Sequence, residues 1–227
     1  MKGPFTLSLQ TVPLGSAHAN EENPLCVVRA FLQLMERRDP LLVIHGERTA
    51  QYAMALGHTV QLSEGERLSL QYAALLHDLG KLTLPKGVEE NALQQPQHDL
   101  CLQFHPRAGA SLLQDWPNLQ TVAVFIAHHH ERWDGYGYPY GLRNTLIPLG
   151  SRILSIADAF DTITSPLPYG EGQSIEQAKQ SLTGGAGLRF DPQLVDLFLP
   201  LIPKLSGSGW DLDLKLARAS GGKYETV

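Results

Sequence analysis

The chain has 227 residues, a mass of 25.0 kDa and a formal net charge of −5. This length fits one substantial domain with extensions and is too short for two full-size domains. The 43% of hydrophobic and 18% of charged residues exclude a disordered chain and give no sign of a membrane span. The negative charge and the lack of a Lys and Arg run argue against binding of long nucleic acid.

The first part of the chain predicts a flexible arm of about 20 residues followed by two helices. The first helix carries apolar residues at helical spacing, namely Leu25, Val28, Phe31, Leu32 and Met35. A second helix is predicted from residue 40 to 56. Asp39 would be its N-cap, Pro40 would take the first helical position and Gly57 would end it.

Apolar spacing predicts four more helices and hardly any strand. A third, well-buried helix would end at Gly80 and carry Leu68, Tyr72, Leu75, Leu76 and Leu79. The others contain Val122, Phe125 and Ile126; Ile153, Ile156, Ala157 and Phe160; and, after Asp191-Pro192, Leu194, Val195, Leu197 and Phe198. A short strand or extended tail is predicted where Trp210, Leu212, Leu214 and Leu216 alternate. The fold class is therefore all-α, with a Gly-Pro-Tyr-rich loop from about 133 to 149.

His77 and Asp78 lie together at the end of the third predicted helix, directly before Gly80-Lys81. A buried imidazole beside a buried carboxylate is costly unless a cation or hydrogen bonds compensate, and two such neighbours can converge on one metal. An isolated His-Asp pair is nevertheless more often a surface pair or a locally hydrogen-bonded pair.

Three consecutive histidines, residues 128–130, end the fourth predicted helix. At 100° per residue His129 falls on the apolar stripe and His130 at its edge, whereas His128 is rotated well away. At most two of them can therefore share an inward-facing site. The alternative is a solvated polar cap.

Asp158 and Asp161 lie three residues apart on a predicted helix, at the border of the core. A nearby cation is expected for Asp158, whereas ordinary helix hydrogen bonding or a solvent-facing edge is favoured for Asp161. A lone His45 would usually be a satisfied core residue, and His105, before Pro106, could be merely structural. The argument for metal is cumulative and depends on seven candidate ligands, His45, His77, Asp78, His105, His129, His130 and Asp158. Together they have the composition of a two-metal site.

The order of these motifs resembles the HD-GYP phosphodiesterases. The matching segments are His-Gly-Glu-Arg at 45–48, Leu-Leu-His-Asp-Leu-Gly-Lys at 75–81, His-Pro-Arg-Ala-Gly-Ala at 105–110, the segments 129–139 and 147–161, and Phe-Asp-Pro at 190–192. The name-giving tripeptide is Gly137-Tyr138-Pro139. The resemblance covers about residues 40–200 and implies an HD-domain helical bundle there, preceded by an arm and leading helix at 1–39 and followed by an extension at 201–227.

The resemblance also implies a dinuclear centre. One division places His45, His77 and Asp158 on one ion and His105, His129 and His130 on the other, with Asp78 bridging them. Two divalent ions, iron or manganese, are expected, and zinc or nickel could occupy the site in purified protein. Some relatives use a Glu one helical turn before the first His for a third metal, but Leu41 stands there and cannot ligate.

The activity that the resemblance implies is hydrolysis of cyclic di-GMP, or another cyclic dinucleotide, to linear pGpG and further to GMP. A metal-activated hydroxide positioned by Asp78 would attack, and Lys81 would steady a phosphate oxygen. Without the resemblance, Lys81 would be interpreted as a solvent-facing lysine. The two cysteines, Cys26 and Cys101, are too few for a disulfide framework, so a reducing cytoplasm is expected.

Two alternatives stay open. Leu167 and Gly170 stand where many relatives carry basic residues, which motivates a weakly active or inactive module that binds a cyclic dinucleotide or a protein. By resemblance, the Gly137-Tyr138-Pro139 loop would contact diguanylate cyclase domain proteins. The other alternative, an HD-type phosphohydrolase acting on nucleotide monoesters, is disfavoured by this Gly-Tyr-Pro segment.

Overall fold

Helices make up most of the residues described by a computed structural model, which are residues 23–85, 102–165 and 172–202. Within these ranges the α-helices are α1 (Pro24–Arg38), α2 (Pro40–Thr59), α3 (Glu64–Leu76), α4 (His105–Leu113), α5 (Gln120–Ala127), α6 (Leu149–Thr164), α7 (Ile175–Gly185) and α8 (Pro192–Phe198). Short 3-10 turns occupy Leu79–Thr83, Pro117–Leu119, Asn144–Leu146 and Leu199–Leu201. The described residues contain an isolated β-bridge, between Ala186 and Phe190, and no strand. The prediction of an all-α fold is confirmed.

The start of α2 was predicted correctly and its end was not. Asp39 caps the helix, because its side chain accepts a hydrogen bond of 2.9 Å from the N–H of Leu41, and Pro40 is the first helical residue. The helix does not stop at Gly57 but continues to Thr59. Gly57 is buried inside it, and a Cβ there would lie 3.0 Å from the side chain of Leu70. Close packing against α3, rather than helix termination, accounts for this glycine.

One apolar core joins the helices. α2 packs against α3 and α6, α5 packs against α3, and α1 covers α2 and α3. The largest fully buried side chains include Met35, Leu56, Leu70, Leu76, Ile126, Ile153, Leu154 and Phe198. Each such side chain contributes roughly 1.5–3 kcal/mol by leaving water. Leu68 and Leu197, which the apolar pattern placed among the buried residues, are 43% and 40% exposed.

α3 ends earlier than its apolar pattern predicts. A capping box between Ser63 and Glu66 starts the helix, which stops at Leu76 rather than at Gly80. The chain turns at residues 77–78 and continues as the 3-10 turn Leu79–Thr83. The reason for the turn is tertiary, because Gly80 packs against the backbone of His105 at the start of α4.

Two of the helices, α4 and α7, were not predicted from the sequence. α4 begins at His105 with Pro106 in its first turn, and its short sequence mixes polar and small residues. α7 has a capping box in which the Ser174 side chain accepts from the N–H of Gln177 and the Gln177 side chain accepts from the N–H of Ser174. A Ser-x-x-Gln signature was therefore present in the sequence.

Some predictions concern residues outside the described ranges. These are the opening flexible arm, the strand or extended tail at Trp210, Leu212, Leu214 and Leu216, and the positions Leu167 and Gly170. Among the described residues, no helix combines the length and the apolar character needed to cross a lipid bilayer.

Candidate metal centre

The seven predicted ligands come from five separate parts of the fold and meet in one place. His45 lies on α2, His77 and Asp78 on the turn after α3, and His105 begins α4. His129 and His130 lie on the turn after α5, and Asp158 lies on α6. A cleft of about 220 Å³ is lined by His45, Asp78, Lys81, His105, His130, Asp158, Ala159, Thr162, Ile163 and Arg189. His77 and His129 are buried directly behind it, with less than 2% of their surface exposed.

The first cluster consists of His45, His77 and Asp158. Nε2 of His45 lies 3.1 Å from Nε2 of His77 and 3.2 Å from Oδ1 of Asp158, and Nε2 of His77 lies 3.9 Å from the same oxygen. Two ligands that each bind an ion at ~2.1 Å and at right angles lie about 3 Å apart. Their spacing therefore fits a shared cation.

The second cluster consists of His105, His129 and His130, whose candidate ligand atoms all lie within 4.8 Å of one another. The Nε2 atoms of His105 and His129 are buried and have no hydrogen-bond partner among the residues that the structure describes. A buried polar atom without a partner costs about 1–3 kcal/mol. A metal ion would bind both nitrogens at once. The donor atoms of the second cluster therefore fit a metal ion.

Asp78 lies between the two clusters. Its Oδ1 is 3.5 Å from Nε2 of His105, and its Oδ2 is 3.7 Å from Nε2 of His77. Burial by itself raises the pKa of this carboxyl group, but Lys81 and the surrounding histidines hold it well below its ordinary value. Asp78 is therefore an ionised carboxylate that faces both clusters.

Three of the histidines are oriented by the backbone. Nδ1 of His77, of His105 and of His129 lies within 2.8 Å of a carbonyl oxygen, those of Ala74, Leu102 and Ile126 respectively. A carbonyl oxygen only accepts, so each Nδ1 carries the proton and each Nε2 keeps a lone pair. Metal-binding histidines commonly have this arrangement.

The second cluster is held neutral by its surroundings. Burial lowers the pKa of His105 and of His129, and it lowers the pKa of His130 to about 3. Neighbouring imidazoles lower these pKa values further, while Asp78 or Asp158 opposes the shift. Neutral imidazole is the form that binds metal ions.

Asp161 is not at a solvent-facing edge, which corrects the interpretation favoured from the sequence. Its side chain is fully buried and accepts hydrogen bonds from Nδ1 of His45 at 2.7 Å and from Nε and a terminal nitrogen of Arg48 at 2.6 and 2.9 Å. Burial lowers the pKa of His45, but the hydrogen bonds to Asp158 and Asp161 outweigh this and raise it to about 10. A proton and a metal ion would compete for the Nε2 lone pair of His45.

His128 stays outside both clusters, as the sequence predicts, although for a different reason. α5 ends at Ala127, so the 100° helical rotation does not extend through the three histidines. Nδ1 of His128 instead donates to the carbonyl oxygen of Val124 at 2.8 Å, and its ring lies beside Tyr140. The following turn directs His129 and His130 inward.

The Gly-Tyr-Pro segment folds back onto the second cluster. The Tyr138 ring stacks on His130 with centroids 5.0 Å apart, and the Tyr138 N–H donates to the carbonyl oxygen of His130 at 3.3 Å. A side chain at Gly137 would overlap the backbone of Arg132, so only glycine fits there. The Tyr138–Pro139 peptide bond is cis.

Four residues with clear parts in the site were not identified from the sequence as site residues. Asp161 and Arg48 support His45, and Arg189 lines the cleft. Glu131 is buried and accepts hydrogen bonds from the N–H groups of Tyr140 and Leu142 at 2.7 and 3.0 Å, which fixes the loop after His130. A signal was available for three of them, because Arg48, Glu131 and Asp161 lie within the segments 45–48, 129–139 and 147–161 that match the HD-GYP phosphodiesterases.

Lys81 and Leu41 are two further positions for which the sequence analysis made a prediction. Lys81 lines the cleft and its Nζ donates to Oδ2 of Asp78 at 2.8 Å, so it is not a merely solvent-facing lysine. Leu41, one turn before His45 on α2, is 54% exposed and offers no ligand atom.

The chain is similar to known proteins in family, sequence and structure. Residues 29–194 match the HD domain family. The chain is 35% identical over 197 residues to "Cyclic di-GMP phosphodiesterase response regulator RpfG" of Xanthomonas campestris pv. campestris, covering 85% of this chain and 52% of that protein. It is 34% identical over 158 residues to "3'3'-cGAMP-specific phosphodiesterase 2" of Vibrio cholerae, covering 68% of this chain and 30% of that protein. This chain thus spans about half of the first relative and a smaller part of the second.

A solved structure with the same fold is Bd1817, described as a HDG"Y"P protein from Bdellovibrio bacteriovorus. It superposes with a TM-score of 0.60 at 25% sequence identity, over 71% of this chain and 52% of that one.

Proposed function

The chain belongs to the HD domain family, and from this membership we propose that it is a metal-dependent phosphodiesterase that hydrolyses a cyclic dinucleotide. The observation that carries the proposal is the meeting of two three-residue ligand clusters at Asp78 inside one cleft. Relatives named as phosphodiesterases for cyclic di-GMP and for cGAMP support the substrate class. Within that class we propose cyclic di-GMP, cut to linear pGpG and further to GMP.

Two divalent ions fit the donor set. His45, His77 and Asp158 would hold one ion, His105, His129 and His130 would hold the other, and Asp78 would bridge them. Imidazole and carboxylate ligands suit iron or manganese, and zinc or nickel can replace them in purified protein. Bound there, the ions would lower the pKa of water to supply a nucleophile and would stabilise the developing charge on the phosphoryl group.

The side chains of this protein have separate tasks in that reaction. Asp78 orients the attacking water, because its ionised carboxylate lies between both clusters. Lys81 provides a positive charge beside Asp78 and would donate to a non-bridging phosphate oxygen. The hydroxyl of Thr162 lies 3.2 Å from Oδ1 of Asp158 and donates to it, which fixes the carboxylate on the cleft wall.

A second role, as a binding or partner-docking module, is favoured by exposed aromatic rings. Tyr136 is 86% exposed and Tyr140 is 57% exposed, and they flank Gly137-Tyr138-Pro139. Large exposed aromatic side chains commonly belong to protein contacts. A diguanylate cyclase domain protein would be the partner at this loop. The cysteine content keeps the reducing cytoplasm as the proposed compartment.

The experiment is hydrolysis of cyclic di-GMP by anaerobically purified protein loaded separately with iron and with manganese, followed by chromatography of the products. Linear product from the wild type and none from the Asp78→Ala variant is expected. Asp115→Ala, which removes an exposed carboxylate outside the cleft, is the matched control and should keep full activity.

Failure would take two forms. Undiminished turnover by Asp78→Ala would refute the assigned site. If the metal-loaded wild type bound cyclic di-GMP tightly and formed no product, the protein would be a binding module rather than an enzyme.

A further inference from the structure

Arg189 brings a second positive charge to the wall of the cleft. Among the described residues that line the cleft, the lysine and arginine side chains are Lys81 and Arg189. Lys81 is paired with Asp78 at 2.8 Å. Arg189 is exposed and forms no ion pair with any residue of the described ranges. Within these ranges no carboxylate competes for its charge with an anion that enters the cleft.

The backbone of Arg189 is held in a tight turn between α7 and α8. The N–H groups of Leu188, Arg189 and Phe190 all point to the carbonyl oxygen of Gly185, at 3.1, 2.8 and 3.0 Å. Gly187 takes a positive φ of 77°, which glycine adopts without strain. These bonds fix the point from which the Arg189 side chain extends.

The same turn is bonded to the chain that follows His130. The Trp133 N–H donates to the carbonyl oxygen of Arg189 at 3.2 Å, and the Asp134 N–H donates to that of Leu188 at 2.9 Å. Arg189 is thus tied through the backbone to the loop that carries Tyr138, whose ring stacks on His130. Its position relative to the second cluster is set by the fold.

The side chain of Arg189 is also oriented. Its Cζ lies 5.1 Å from the centre of the Phe190 ring, and Phe190 is buried with 4% of its surface exposed. A guanidinium group packed on an aromatic face keeps its in-plane N–H donors free for an acceptor. Two parallel N–H donors match two oxygens of a phosphodiester.

The substrate class explains why such a cation is needed. A cyclic dinucleotide carries two phosphodiester groups, each with one negative charge, and only one of them reacts in a given cleavage. Bound divalent ions would neutralise Asp78 and Asp158, which line the same cleft, and would attract the group that is being cut. A further positive charge, away from the reacting centre, would attract the second phosphodiester group.

We infer that Arg189 binds the phosphodiester group of the cyclic dinucleotide that is not being cut, an inference that rests on the proposed function. Arg189 is then a specificity-determining residue. It favours substrates with two phosphodiester groups over substrates with one.

The test compares Arg189→Ala, Arg189→Lys and the wild type on two substrates, cyclic di-GMP and bis(p-nitrophenyl) phosphate, which has a single phosphodiester group. For cyclic di-GMP, Arg189→Ala should lower kcat/KM about ten- to a hundredfold, the range expected for a lost charge-assisted contact, mainly by raising KM. Arg189→Lys should keep part of the effect. Turnover of bis(p-nitrophenyl) phosphate, which has no second phosphodiester group, should fall at least tenfold less in Arg189→Ala than turnover of cyclic di-GMP does.

The matched control is Arg107→Ala, which removes an exposed arginine on α4 that does not line the cleft. The inference is overturned if Arg189→Ala behaves like Arg107→Ala on cyclic di-GMP. It is also overturned if both substrates lose turnover equally, because this would indicate a general structural role.

A wild type that does not hydrolyse cyclic di-GMP would refute the proposed function and still leave Arg189 testable. Equilibrium binding of cyclic di-GMP to the metal-loaded proteins then decides. At least tenfold weaker binding by Arg189→Ala than by Arg107→Ala supports the inference. Equal affinities, or no binding by the wild type, overturn it.

Discussion

In four of the five candidate ligand histidines, Nδ1 is bonded to a protein oxygen and Nε2 is the nitrogen left for an ion. Nδ1 is bonded to a backbone carbonyl oxygen in His77, His105 and His129, and to the Asp161 carboxylate in His45. Nε2 of His45 and Nε2 of His77 lie 3.1 Å apart in the first cluster. The orientation of these four imidazoles is therefore fixed before any ion binds, which reduces the entropy lost on binding.

Asp161→Asn tests this arrangement at a single residue. The amide has no charge, so it weakens the pairs with His45 and Arg48 and makes the His45 ring a poorer donor to a metal. Metal affinity should fall about 10- to 100-fold, the range found for outer partners of metal-binding histidines. Competition with a chromogenic chelator measures it, and Asp196→Asn, at an exposed carboxylate on α8, is the control. Equal affinities of both variants and the wild type would contradict the role of Asp161.

At the scale of single residues, the sequence predicted which residues gather at the site better than it predicted the surroundings of each residue. His129 and His130 lie in the second cluster and His128 does not, as predicted, but the turn after Ala127 directs them rather than the helical rotation on which the prediction was based. Asp161 was assigned to an ordinary helical environment, because its partners lie more than 100 residues away along the chain. No local pattern contains that information.

Most of the candidate ligands lie at or next to the end of a helix rather than in its middle. His77 and Asp78 follow the last residue of α3, His129 and His130 follow the last residue of α5, and His105 opens α4. Turns after helix ends direct neighbouring side chains to one point more readily than a continuous helix does, since consecutive helical residues diverge by 100°. The early stop of α3 is thus what brings His77 and Asp78 together.

Gly80→Ala tests the close approach that accompanies this stop. A Cβ at Gly80 would overlap the carbonyl oxygen of His105 and the backbone of Gly109, neither of which can move without displacing α4. The free energy of unfolding should fall by about 3 kcal/mol or more. Urea denaturation measures the change.

The control for that variant is Gly65→Ala. Gly65 is exposed in the first turn of α3, and a Cβ there meets nothing within 4 Å. Alanine should leave stability unchanged or raise it by up to ~1 kcal/mol. Equal stability of Gly80→Ala and Gly65→Ala would contradict the close packing of the 3-10 turn against α4.

Element boundaries were the weaker part of the sequence prediction for physical reasons. α2 was predicted to stop at Gly57, but the glycine serves a close helix contact with Leu70. α3 was predicted to reach Gly80, but contact with α4 turns the chain after Leu76. Both errors arise because tertiary packing overrides local propensity.

Across the whole molecule, the candidate ligands are brought together by the complete fold. His45 and Asp158 are separated by more than a hundred residues and still lie 3.2 Å apart. A chain without its tertiary structure cannot assemble either cluster. Metal binding must therefore stabilise the folded state.

Metal loading should accordingly raise the stability of the whole molecule. At a free ion concentration of 100 times the dissociation constant, one site adds ~2.7 kcal/mol to the free energy of unfolding. Denaturation curves with manganese and after chelation should show this difference for the wild type and a much smaller one for Asp78→Ala. Identical wild-type curves in both conditions would contradict a fold-dependent metal centre.

At the same scale, the sequence was sufficient for the fold class and for naming the residues that gather in the cleft, since all seven predicted ligands lie in or directly behind it. It was insufficient for the supporting contacts. The pair of Arg48 with Asp161, the closing of the loop by Glu131 and the place of Arg189 depend on how distant segments pack.

The most direct test of the central claim is anomalous diffraction from crystals of the manganese-loaded protein, recorded near the manganese absorption edge. Two peaks per chain are expected, one among His45, His77 and Asp158 and one among His105, His129 and His130, with Asp78 in contact with both. A single peak, or peaks away from these residues, would contradict a dinuclear centre bridged by Asp78.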